Sequence, residues 1–208
     1  MAGLRDRKKS DLRRRFISVA GDLFRQNGFE RTRMEDIAAA ADVGLGTAYN
    51  YFSNKGDLLL AIASIEVESI TEKARISLAK SIPDIGTAID RLIAAYFDHS
   101  LEFLDKPMWR AVIALSIQQS DTEVGRRYSE LDAALVKQIH DLLQSLQRSG
   151  QIAVGVEIRC AAELIYNNLT TMFNEFIKRD DFSIAEIKET IRRQNRPVVY
   201  YLSGGAAR

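Results

Sequence analysis

Leucine, isoleucine and alanine recur at helical spacing along most of the chain, and no segment sustains the apolar/polar alternation of a half-buried strand. The pattern predicts an all-α protein of about nine helices. The first runs from about Lys9 to Asn27, with Leu12, Phe16, Val19, Ala20, Leu23 and Phe24 on one face and Gly28 placed to end it. "TRME" offers a capping box, Thr32 with Glu35, to a second helix whose inward positions are Ile37, Ala38 and Ala41. After "ADVG" comes a very short third helix, about Leu45 to Tyr51, and then a fourth that Asn54 caps with Asp57 at its third position. The fourth extends to about Ser81. Further helices are predicted at about Asp84–Leu104, Met108–Gln119, Thr122–Ser149, Glu157–Lys178 and Ser183–Leu202, with Pro197 expected to kink or shorten the last.

The third helix does not read as core. "ADVGLGTAYNYFSNKGDLL" crowds glycine, threonine, tyrosine, asparagine and lysine into a span that a buried helix would fill with apolar residues. Two helices joined by a short turn, the second barely two turns long, form a helix-turn-helix, whose second helix enters the DNA major groove. Small groups at Gly44 and Gly46, flanking Leu45, let the backbone approach another surface closely. Thr47 and Asn50 suit base edges, and Tyr49 suits a phosphate. Lys55, at the start of the fourth helix, and Thr32 with Arg33, at the start of the second, are placed for phosphate contacts. Phe52 reads as core, while Tyr51 serves either the core or the DNA face.

Charge supports that division. The net charge of +1 conceals a basic end: residues 1–15 hold seven basic and two acidic side chains, giving +5. A basic terminus on a mildly acidic body suits a polyanion partner for that end, in this case DNA backbone or minor groove. No apolar run reaches the ~18 residues of a membrane span, and the basic N-terminus lacks the apolar segment of a secretory signal, so a soluble cytoplasmic protein is expected, with no membrane partner. Cys160 is the one cysteine, which excludes an internal disulfide, and its expected role is a small core residue.

"GFERTRMEDIAAAADVGLGTAYNYFSNKGDLL", residues 28–59, closely resembles the DNA-binding signature of the TetR/AcrR family of bacterial transcription regulators. The resemblance rests on Gly28-Phe29, Thr32, Ile37-Ala38, Ala41, Val43, Gly46-Thr47, Tyr49, Tyr51-Phe52, Lys55 and Leu58. It departs from the family at Asp42, where glycine is usual, at Gly44, where serine or threonine is usual, and at Gly56, where an acidic residue is common. The resemblance implies a helix-turn-helix DNA-binding domain over residues 1–54, with a basic arm at 1–8, and a helical ligand-binding and dimerisation domain over 55–208. It also implies a homodimer formed through the helices near 157–178 and 183–202, reading a palindromic double-stranded operator as a repressor that a small molecule releases.

For the effector pocket the middle helices offer Tyr96, Phe97, His99, Phe103, Met108, Trp109, Ile113 and Gln118, with Tyr128, Tyr166, Asn167 and Met172 to close it. Aromatics interleaved with a few polar groups suit an apolar or aromatic ligand. Each of these residues has a plainer reading as core. His99 and Glu102 are too few for a metal site, and no cofactor is implied. Nor does any nucleophile motif or phosphate loop argue for an enzyme. The alternative within DNA-binding proteins is a constitutive binder with no small-molecule effector.

Overall fold

The computed structural model describes residues 4–79 and 84–205. Among these there are nine helices and no strands: α1 (Leu4–Asn27), α2 (Met34–Ala40), α3 (Leu45–Tyr49), α4 (Lys55–Leu78), α5 (Ile85–Asp98), α6 (Lys106–Gln118), α7 (Glu123–Arg148), α8 (Ile158–Lys178) and α9 (Ile184–Leu202). The fold is all-α, as the periodicity predicts.

The helix ends follow from identifiable groups. Gly28 takes φ 84° and stops α1, while Arg31 Nε donates to the freed Asn27 carbonyl at 2.7 Å. α1 begins earlier than expected, its basic first turns being helical. The predicted Thr32/Glu35 box shifts by one residue. Arg33 is the N-cap of α2, its N–H donating to Asp36 at 2.9 Å, because the Thr32 hydroxyl is bonded inward. Asn54 caps α4 as expected, accepting the Asp57 N–H at 3.0 Å. Asp84 and Asp105 cap α5 and α6 through the Thr87 and Met108 N–H groups, and a Ser183/Glu186 box starts α9. α9 continues through Pro197 to Leu202, further than a proline inside a helix suggests. The expected end of α4 at Ser81 lies outside the described residues.

The chain divides into two compact units, and the division differs from a cut at residue 54. The first unit comprises residues 1–66 and 102–129, the second 67–101 and 130–208. The core of the first gathers Phe16, Ala20 and Phe24 from α1, Ile37 and Ala38 from α2, Ala48 from α3, Phe52, and Leu58 and Leu59 from α4. Phe16 meets Tyr51 and Phe52 with ring centroids 5.5 and 6.2 Å apart. In the second unit Ile89, Leu92 and Ile93 of α5, Leu143 of α7, Ile165 and Leu169 of α8 and Ile187 and Ile191 of α9 are buried. There α9 packs on α8 and α5, and α5 is tied to α9 by Asp90–Arg192 at 2.9 Å and by Asp98–Lys188.

α5 ends at Asp98, short of the predicted Leu104. The amides of residues 102–104 bond instead to the carboxylate of Glu66, so a tertiary acceptor replaces the helical ones.

Candidate nucleic-acid interface

α2 and α3 are joined by a tight turn in which Asp42 adopts φ 53°, the left-handed conformation that glycine usually supplies. The Asp42 and Val43 N–H groups close the turn onto the carbonyls of Ala39 and Ala38 at 3.0 and 3.1 Å. α3 is rooted in the core by Ala48 alone among its five residues, at 0% exposure. Gly44, Leu45, Gly46, Tyr49 and Asn50 are exposed, and Thr47 is half-buried. Gly44 is the N-cap, with ordinary φ −66° and no side chain to cap the helix. A methyl group built on either Gly44 or Gly46 would meet nothing within 4 Å. Packing within the chain therefore does not require these glycines, and open space lies over the leading end of α3.

The flanking groups divide into free and engaged. Arg33 stands exposed at the N-terminus of α2. Thr32, by contrast, is 1% exposed, and its hydroxyl donates to the Gly28 carbonyl at 2.9 Å and approaches that of Leu23 at 3.3 Å, so it anchors the loop and faces no external partner. Lys55 Nζ donates to the carbonyls of Phe29 and Glu30 at 2.8 and 2.9 Å and lies 4.5 Å from the Phe29 ring centre. Lys55 thus staples α4 to the loop after α1, with one of its three ammonium donors left over. Tyr51 is half-buried against Phe16, which favours the core over the DNA face for its ring. Arg13, read as part of the basic N-terminal stretch, lays its guanidinium over the Phe52 ring at 4.7 Å. Sequence reasoning passed over Glu66, which is buried in α4 and which nothing in local sequence marks.

The residues offered for an effector pocket scatter. Phe103, Met108, Trp109, Ile113, Gln118 and Tyr128 belong to the first unit; Met108 and Trp109 are buried, Phe103 and Gln118 exposed. Tyr96, Phe97, His99, Tyr166, Asn167 and Met172 belong to the second. There Tyr96 donates to Gln138 at 2.7 Å, and Gln138 in turn to the Thr71 carbonyl at 2.9 Å. Burial pushes the phenols of Tyr96 and Tyr166 up, and it also raises the Asp132 carboxyl, which accepts a bond from Tyr166. Phe97 packs on Phe173 with centroids 6.1 Å apart, and Lys73 Nζ lies 3.3 Å from His99 Nδ1. Asn167 is exposed, whereas Asn168 turns its amide oxygen inward. An open cleft of about 690 Å³ in this unit, lined by residues such as Arg75, Lys137, Gln138 and Leu142, includes none of the twelve. Cys160, expected in the core, is exposed at the start of α8. Among the described residues no helix is long and apolar enough to cross a membrane.

A short helix with open space over its glycine end, rooted by one alanine and joined to α2 by a tight turn, defines a helix-turn-helix motif. Residues 16–62 match the bacterial regulatory proteins of the tetR family. Over that segment the chain carries the DNA-binding part of the TetR family of transcription regulators. Among its relatives is the fatty acid metabolism regulator protein of Bacillus subtilis (strain 168), 23% identical over 164 residues, 79% of this chain and 82% of that one. The fold is shared with a TetR-family transcriptional regulator from Pectobacterium atrosepticum (TM-score 0.72, 17% identity, 97% of this chain and 98% of that one). It is shared too with the transcriptional regulator FadR of Bacillus subtilis, solved in complex with stearoyl-CoA (TM-score 0.68, 20% identity, 92% and 98%).

Proposed function

We propose that the protein is a cytoplasmic, homodimeric repressor that holds a near-palindromic operator through α3 and is released by a small molecule with a large apolar part. The observation that carries the DNA reading is the exposed, glycine-bearing end of α3, where added side-chain atoms would meet only an external surface. Thr47 and Asn50 face base edges, Tyr49 and Arg33 take phosphates, and the spare donor of Lys55 reaches a third phosphate. Leu45 lies against the groove wall. Thr32 and Tyr51 act behind these residues, holding the loop and the end of the reading helix.

Two copies are needed to read two half-sites about 34–36 Å apart. α8 and α9 supply the surface: Leu164, Tyr200 and Tyr201 are 60, 64 and 49% exposed, an apolar set that a second copy would cover. For the effector, the fatty acid regulator of Bacillus subtilis and FadR with its stearoyl-CoA make a long-chain acyl-CoA the first candidate. It releases DNA only insofar as it binds the DNA-competent and the released states unequally.

The test is fluorescence anisotropy on a labelled duplex that the protein itself selects from a random library, titrated with stearoyl-CoA. Tight binding that weakens as salt rises, followed by release with stearoyl-CoA, is expected. Binding that neither stearoyl-CoA nor a panel of acyl-CoA thioesters disturbs overturns the effector assignment and favours a constitutive DNA-binding protein.

A further inference from the structure

Glu66 lies in α4 and is 1% exposed. Its Oε1 accepts the N–H of Glu102, and its Oε2 accepts those of Phe103 and Leu104, all at 2.8 Å. From α1, the Arg25 guanidinium donates to the Phe103 carbonyl at 3.1 Å. Two charged side chains on different helices thus grip the same turn, one by its amides and one by a carbonyl. The turn leads directly into α6 through the Asp105 cap. Residues 66 and 102 are also where the chain leaves the first unit and rejoins it.

The other end of the α4–α6 contact is as close. A methyl group on Gly56, in the first turn of α4, would stand 2.8 Å from the capping Asn54 oxygen and 3.4 Å from Leu115 of α6. Leu115 of α6 thus lies over the backbone at the start of α4. α6 therefore meets α4 near both of its ends, through the Glu66 clasp on the turn that leads into it and through Leu115 beside Gly56.

A buried carboxylate is a poor device for stability alone. Removing a charge from water is costly, and well-packed apolar replacements are often neutral or stabilising. Burial raises the Glu66 carboxyl even against three amide bonds, with Glu102 adding to the rise.

We infer that Glu66 is a positioning residue for DNA reading: its clasp on the 102–104 turn locks α6 to α4 and so sets α4 behind the reading helix. The inference rests on the reading that α3 enters duplex DNA. It is tested by amide exchange, followed by mass spectrometry over peptides covering residues 102–104, on the wild-type protein alone and saturated with its library-selected duplex. Coupling is reciprocal, so DNA that depends on the clasp must tighten it, slowing exchange there by about tenfold. Glu66→Gln, held at a temperature where circular dichroism shows it folded, exchanges faster over the same peptides and binds the duplex about tenfold more weakly. Unchanged exchange on DNA binding, or a folded Glu66→Gln that binds like wild type, overturns the inference. If Glu66→Gln does not fold, the wild-type exchange result decides alone. A wild-type protein that selects no duplex defeats the DNA reading itself, which is a separate failure.

Discussion

Replacing Gly46 by alanine should move stability and DNA binding in opposite directions. Gly46 is the second residue of the five-residue α3, and an added methyl meets nothing within 4 Å. Alanine is favoured over glycine by about 0.8–1 kcal/mol in a helix interior, and roughly half of that applies this near a helix start. At roughly 2–4 °C per kcal/mol for a chain of this size, the melting temperature rises by about 1–2 °C. On DNA the same methyl stands where the backbone must approach the duplex. Losing a base-edge contact costs about 1–3 kcal/mol, a roughly 5- to 150-fold weakening. Differential scanning fluorimetry reads the first effect and anisotropy on the selected duplex the second. Gly155→Ala, also in open space but in the loop before α8, is the control and should leave DNA binding unchanged. Gly46→Ala with wild-type affinity and an intact fold would refute close approach at the leading end of α3.

Three further outcomes follow from the geometry. Lys55→Ala should lower folding stability by about 1–2 kcal/mol, because it removes charged bonds to two carbonyls; an unchanged denaturation midpoint would mean that the staple does not form in solution. Asp42→Gly should stabilise by up to about 1 kcal/mol and Asp42→Val destabilise by more than that, since φ at 42 is 53°; equal melting temperatures for the two would contradict the left-handed turn. The Glu66 carboxyl titrates above the usual value of 4.5 in the folded protein, so the folded state holds its proton more tightly. Its stabilising contribution is full below pH 4.5 and is lost as pH rises through the folded value. The stability of wild type relative to Glu66→Gln should therefore fall as pH rises above 4.5, and a flat difference contradicts the burial argument.

Most helices could be read from the chain because their starts are marked by local chemistry. Asn54, Asp84, Asp105 and Ser183 each cap a helix through their own side chains. α3 stood out for a similar reason, since its composition conflicts with burial. What escaped is tertiary. Residues 99–104 continue the apolar spacing of α5, and only a carboxylate from a distant helix draws their amides away from helical bonding. Glu66 itself, within "SIEVESI", reads as an ordinary solvated position. The sequence places Thr32 and Lys55 for phosphate contacts, and nothing local shows that their polar atoms turn toward the chain's own carbonyls. The pocket residues were chosen for size and polarity, properties that core and lining share. Burial then separated them: Met108 and Trp109 are 2% exposed, whereas Gln118 and Asn167 face outward.

The most direct test of α3 as the DNA reader is parallel library selection with the wild-type protein and with Thr47→Ala. The account predicts that wild type enriches two inverted half-sites spaced by about one helical turn, and that Thr47→Ala keeps the spacing but loses preference at one base in each half. A wild-type protein that enriches no common sequence, or a Thr47→Ala whose enriched sites match those of wild type, would contradict it.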